Sequence, residues 1–247
     1  MLWQADRGAL RRLPAGRVDD VGAHTPARER PAVLLDFDGP VCELLPSSAL
    51  PGLAQRFTDF MRSRGLTVPT TPPLLGDPLE SLRFAATSGE TEVTRALEEM
   101  MCAVEADAAR VARATAGADR ALRDMREAGV PVVVVSNNSA EAVRIYLERA
   151  RLEGCVVGVM GRVFAQPLTM KPHPAPVLRG LSLLGAEADA CVLIGDSLND
   201  VRAATAAGVC CVGYAADGGR SLLAAGAREV ISHMDDALRA AIAHTRA

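Results

Sequence analysis

At 247 residues, 49% of them hydrophobic, the chain is long enough for one large core or for a core carrying an inserted subdomain. A net charge of -3 leaves no basic face of the kind that binds nucleic acid, and no run approaches the roughly 20 apolar residues of a membrane span. The six cysteines show no zinc-ligand spacing and read as small core hydrophobes of a reducing compartment.

In chain order, residues 1–30 are rich in Arg, Gly and Ala and lack an apolar signal-peptide core, so they are expected to form a flexible extension of a cytoplasmic protein. "AVLLDF" (Ala32 to Phe37) is the first of five short apolar runs with strand propensity. About eighty residues then pass before the helix leading to the next run, far more than a crossover needs. Within them, "PGLAQRFTDFMRSRG", "PLESLRFAATSG" and a long amphipathic segment predict a helical domain at 44–113, inserted into a core formed by 31–43 and 114–247. Thr87 and Glu90 predict a capping box for the long segment, and the stripe Met100, Met101, Val104 is expected to pack inside the insertion. The proline-rich "TVPTTPPLLGDP" has no readable shape.

Beyond the insertion, "VPVVVVS", "CVVGVM", "ACVLIGD" and "VCCVGY" alternate with segments of helical periodicity, three of which end at a glycine suited to a C-cap. Runs apolar on both faces are buried parallel strands, and the alternation means an α/β doubly wound parallel sheet, for which the order 3-2-1-4-5 is taken as a working arrangement. In that order strands one and four are neighbours at the topological switch point.

The acids follow this geometry. Asp36 and Asp38, two apart at the end of the first strand, point to the same side. Asp196 follows the fourth strand directly, with Asp200 one helical turn on and Ser197 placed to cap that helix. Carboxylates crowded into one crevice need a cation or a shared proton, and an oxygen-rich site suits Mg²⁺. A DG turn and a capped helix would explain Asp38 and Asp200 singly, but not the meeting of both strand ends. Ser136 and Asn137 close the second strand, where a hydroxyl and main-chain N–H groups can hold phosphate oxygens. Of the 27 basic residues all are arginine except Lys171.

The ordered set Asp36-x-Asp38, Ser136, Lys171 and "GDSLND" with Asp196 and Asp200 resembles the four motifs of the haloacid dehalogenase superfamily. The insertion is similar to the helical C1 cap of its phosphoglycolate-phosphatase-like and β-phosphoglucomutase-like members. The resemblance implies a Mg²⁺-dependent phosphatase acting on a small phosphorylated metabolite through an aspartyl-phosphate. It makes Asp36 the nucleophile and Asp38 the general acid and base, and it places Ser136 and the Asn137 N–H on a phosphoryl oxygen. Mg²⁺ would be held by Asp36, the main-chain carbonyl of Asp38 and Asp196, with Asp200 behind them. Lys171 would stand between Asp36 and a phosphoryl oxygen, where a compact ammonium fits and the broad fork of arginine does not.

The insertion holds no lysine, unlike that of phosphonate-cleaving members, and Asp38 separates the chain from true dehalogenases. A β-phosphoglucomutase-like phosphotransferase is the alternative. Pro40, where the first motif usually has Thr or Val, raises that of an inactive binding or regulatory relative. Arg83 reads as a helix-surface arginine, with reach to a substrate's second anionic group as the sharper option, and His173 as a spacer between prolines.

Overall fold

The computed structural model describes residues 31–216 and 218–245, so the expected extension at 1–30 lies outside the described residues. Strand β1 (Ala32–Leu35) leads to a short strand β2 (Cys42–Glu43) and then to four helices, α1 (Leu50–Ser63), α2 (Pro72–Gly76), α3 (Pro78–Thr87) and α4 (Thr91–Ala109). Strand β3 (Arg113–Ala114) pairs antiparallel with β2, so a ribbon carries the chain out of the α/β core and back. Then follow α5 (Ala118–Glu127), β4 (Val132–Ser139), α6 (Ala140–Ala150), β5 (Gly158–Arg162), α7 (Ala175–Leu184) and β6 (Cys191–Gly195). The chain closes with α8 (Leu198–Ala206), β7 (Cys210–Tyr214), α9 (Arg220–Ala225), β8 (Glu229–Ile231) and α10 (Ala237–His244).

Six strands form one parallel sheet in the order β5-β4-β1-β6-β7-β8. The five strands expected from sequence lie in the expected order, and β8, only three residues long, extends the sheet at its edge. The third expected strand is displaced: Glu153–Cys155 winds into a single 3-10 turn, and pairing begins at Gly158. Every residue of β1 is buried, as a central strand covered on both faces must be. Val33, Leu35 and Phe37 pack on the side of α5, α6 and α10, whereas Ala32 and Leu34 pack toward α7 and α8.

Helices α1 to α4 share a separate cluster that includes Phe57, Met61, Leu82, Leu97 and Met101, with Met100 and Val104 against it. In the proline-rich connector, prolines open both α2 and α3, where the missing N–H costs nothing. Asp77 caps α3 by accepting from the Leu79 N–H at 2.8 Å. The capping box expected at Thr87 and Glu90 is absent. Thr87 is instead the last residue of α3, its hydroxyl donating to the Phe84 carbonyl, and α4 starts only after a turn through Gly89 at φ +77°. No helix among the described residues is long and apolar enough to cross a membrane.

Register sets the site. Leu35 pairs with Val134 on one side and Ile194 on the other, so β1, β4 and β6 end side by side. Phe37, fully buried and edge-on to Tyr146 at 5.3 Å between ring centroids, anchors the loop that follows. Phe37→Ala should therefore cost about 3–5 kcal/mol of stability in chemical denaturation; a loss under about 1 kcal/mol would mean that the loop is held by other contacts.

Candidate active site

Past β1 the chain turns within a few residues. The Asp36 N–H donates to the Ile194 carbonyl at 2.8 Å, extending the sheet by one bond and fixing Asp36 beside the end of β6. The Val41 and Cys42 N–H groups both return to the Phe37 carbonyl, and the Gly39 N–H reaches the Cys42 carbonyl at 2.8 Å. Gly39 has φ +107°, and a Cβ there would stand 2.0 Å from Asp196 Oδ2. Only glycine permits both that backbone and that approach. Pro40 sits between the N–H groups that close this turn, so its missing donor removes none of these bonds.

At the end of β6, Gly195 is likewise obligatory, since a Cβ would meet the Asp200 carboxyl at 2.5 Å. Ser197 and Asp200 form the expected capping box at the start of α8. Asp200 is fully buried, with one oxygen on Lys171 and the other accepting from the N–H and hydroxyl of Ser197.

Lys171, 2% exposed, is the centre of the cluster. Its ammonium meets Asp36 Oδ1 at 2.8 Å, Asp200 Oδ1 at 2.5 Å and the Val135 carbonyl at 2.8 Å, one acceptor for each of its three protons. Its backbone is clamped as well. The Asn137 amide accepts from the Lys171 N–H at 2.8 Å and donates to the Lys171 carbonyl at 3.0 Å, and Arg83 Nη2 donates to that carbonyl at 2.7 Å. Arg83 is thus not a surface arginine. Its second arm holds Glu80, and the guanidinium bridges α3 to the lysine loop. His173 Nδ1 accepts from the Ala175 N–H at 3.1 Å, as a spacer between prolines would.

One ammonium does not balance these acids. Burial, with the nearby Asp200 and Asp196 adding to it against Lys171, holds the Asp36 carboxyl well above the usual carboxylate range. Asp196 lines the cavity with its side chain exposed, and the partial desolvation imposed by the surrounding protein, followed by repulsion from Asp200 and Asp38, pushes it to about 7. Asp38, whose Oδ1 accepts from the Leu44 N–H at 2.8 Å, is raised by burial to about 6, with Glu105 and Glu43 adding repulsion. For Lys171 burial works the other way, yet Asp200 and Asp36 outweigh it and keep the ammonium charged. Carboxylate oxygens of Asp36, Asp196 and Asp200 lie within 4.8 Å of one another. A hard divalent cation fits this donor set, because it offsets the repulsion that otherwise forces protons onto the acids.

A cavity of about 390 Å³ opens above the cluster. Asp36, Asp38, Asp196 and Lys171 line it together with Ser136 and Asn137 and with Leu45, Leu50 and Leu79 of the inserted segment. The seven candidate catalytic, phosphate-binding and metal-holding residues converge, six of them lining the cavity and Asp200 joined to them through Lys171. Asn138 was missed: its amide oxygen accepts from the Ser136 hydroxyl at 2.9 Å, and its N–H donates back to Ser136 Oγ at 3.1 Å. The doubled Asn after Ser136 was the available signal, and it reads equally as turn chemistry.

A family model described as haloacid dehalogenase-like hydrolase matches residues 30–208. A plasmid-encoded phosphoglycolate phosphatase of Cupriavidus necator is 31% identical over 207 residues, covering 79% of this chain and 87% of that protein. Among solved structures, a HAD family hydrolase from Deinococcus radiodurans, with bound phosphate and sodium, is 26% identical at TM-score 0.56, covering 88% of this chain and 97% of that one. A hydrolase from Pseudomonas syringae shares the fold at TM-score 0.63 and 18% identity, over 85% and 97% of the two chains.

The raised acids carry a stability consequence. Asp38 and Asp196 move from an ordinary 3.8 to about 6 and about 7, so between these values the folded chain binds protons that the unfolded chain has released. Stability of the metal-free protein should therefore fall as pH rises from about 4 to about 7. Mg²⁺ should raise the Tm more at about pH 7.5 than at about pH 5.5. Scanning calorimetry checks this, and a Tm indifferent to Mg²⁺ at the higher pH would contradict the cation site.

Proposed function

The chain belongs to the haloacid dehalogenase-like hydrolase family, and we propose that it is a Mg²⁺-dependent phosphatase that cleaves a small phosphate monoester through an aspartyl-phosphate on Asp36. The observation that carries this reading is the ammonium of Lys171, bridging Asp36 and Asp200 at an acidic cavity that it helps to line.

Lys171 and the Phe37 N–H, at 2.7 Å, both engage Asp36 Oδ1, and none of the contacts among the described residues engages Oδ2. Held in this way, the carboxylate presents one oxygen to phosphorus. The Asp36 oxygen forms a bond to phosphorus as the ester oxygen leaves, and Asp38 supplies the proton that the departing alkoxide takes up. Asp38 then removes a proton from the water that attacks the aspartyl-phosphate, releasing inorganic phosphate and restoring the Asp36 carboxylate. A group raised to about 6 holds its proton part of the time near neutrality, which suits a residue that must donate and then accept.

Lys171, the Ser136 hydroxyl and the Asn137 N–H balance and orient the phosphoryl oxygens. Asp36, Asp196 and the main-chain carbonyl of Asp38 would hold the cation, with Asp200 fixing Lys171 and the start of α8 behind them. When bound, Mg²⁺ supplies positive charge against both the phosphoryl group and the crowded acids. We take residues 44–113 as the cap, since Leu45, Leu50 and Leu79 line the cavity with apolar surface, which would limit access of water. The C. necator relative is named for phosphoglycolate, which makes 2-phosphoglycolate the first compound to try.

Phosphate release from a panel of phosphorylated metabolites, with and without Mg²⁺, tests the proposal. Asp36→Asn should abolish turnover with the circular dichroism spectrum unchanged, and Lys171→Arg should cost on the order of 10²-fold in kcat/KM. Wild-type-like turnover in Asp36→Asn, or isomerised sugar phosphate without free phosphate, would overturn it.

A further inference from the structure

Apart from the cavity, the most heavily built polar cluster among the described residues joins the inserted helix α4 to the end of β4. Glu105, fully buried on α4, meets Arg162 of β5 in a two-pronged contact, Nη1 to Oε1 at 2.8 Å and Nη2 to Oε2 at 3.0 Å. The same carboxylate accepts from the Asn138 amide at 3.2 Å and from the Ser139 N–H at 2.9 Å. Four donors thus fill its oxygens. Arg162 in turn donates to the Asn137 carbonyl at 2.6 Å and to Glu98 at 2.5 Å, so its own position is fixed from both the insertion and the core.

We propose that Glu105 is a positioning residue for the phosphoryl-binding hydroxyl of Ser136, acting through Asn138 and held in place by Arg162. The proposal rests on the phosphatase reading, which gives Ser136 its task. A carboxylate accepts only, so Glu105 forces the Asn138 amide to turn its NH₂ toward α4 and its oxygen toward Ser136. The Asn138 N–H completes the grip on the Oγ of Ser136, a residue that is 1% exposed and lines the cavity. When a phosphoryl oxygen arrives, the Ser136 proton swings to it from Asn138 Oδ1 while the N–H contact keeps Oγ in place. An amide at position 105 presents an NH₂ to donors that need an acceptor, which frees Asn138 to flip and offers Ser136 a second donor instead of an acceptor.

The experiment measures inhibition by inorganic phosphate in a two-by-two set of Ser136→Ala and Glu105→Gln. Glu105→Gln should raise the Ki for phosphate and the KM together by roughly tenfold, with kcat changed less and the Mg²⁺-induced rise in Tm retained. In the Ser136→Ala background the same change should move Ki by less than about twofold, because its route is already cut. A purely structural weld would give the same shift in both backgrounds, and that result overturns the proposal, as does an unchanged Ki in Glu105→Gln. Should Glu105→Gln fail to fold, Asn138→Ala leaves Glu105 with Arg162 and Ser139. It must reproduce the rise in Ki and its loss in the Ser136→Ala background, and an unchanged Ki there overturns the relay. Wild-type protein that turns over no phosphate ester would overturn the phosphatase reading and this proposal with it, whereas turnover that inorganic phosphate does not inhibit would overturn this proposal alone.

Discussion

A buried ammonium with three acceptors arranged around it is the constraint on which the rest of the structure depends. Taking a charge out of water is costly unless it is paired and fully hydrogen-bonded, and Lys171 meets that condition through Asp36, Asp200 and the Val135 carbonyl. These partners come from the ends of β1, the start of α8 and β4, so the flush register of the central strands is what allows the contact at all. Arginine would bring a planar fork with five donors to a place with acceptors for three, which accounts for the one lysine in an otherwise arginine-only chain. The glycines at 39 and 195 belong to the same constraint, because each lets backbone approach a carboxylate that a Cβ would displace.

Among the contacts that tie the insertion to the core, two lie on the site. Arg83 of α3 donates to the carbonyl of Lys171, and Glu98 and Glu105 of α4 enclose Arg162 beneath the Ser136–Ser139 segment. The second tie is the more costly to build, since two buried carboxylates share one guanidinium. Burial raises the Glu98 carboxyl against the pull of Arg162, and its Oε2 has no hydrogen-bond partner. Such a cluster is poorly explained as stability alone. Its specific geometry gives the inserted helices a fixed relation to the residues that face a phosphoryl group.

Much of this was legible in the sequence because strands announce themselves locally. Five apolar runs announced the sheet, and the two that end in aspartate marked the edge at which the acids collect once the strands stand in the assumed order. The remainder depended on long-range geometry. β8 has three residues and too little pattern, and α4 begins a turn later than Thr87 suggests because α3 retains that threonine. Glu105 and Arg162 carry no local signal, and nothing near Arg83 in the sequence shows that it meets the Lys171 carbonyl. On an amphipathic helix a Glu reads as solvated surface, and only tertiary packing reveals that the face bearing Glu98 and Glu105 is turned inward.

The central claim, that Lys171 and the acids around it prepare Asp36 to accept a phosphoryl group, is tested most directly by trapping. Wild-type protein turning over a competent phosphate ester would be acid-quenched, reduced with borohydride and digested, and position 36 examined by mass spectrometry. The account predicts that Asp36 is converted to homoserine, the reduction product of an acyl phosphate, and that omitting substrate abolishes the conversion. Unmodified Asp36 during demonstrated turnover, or a trapped phosphoryl group on another residue, would contradict it.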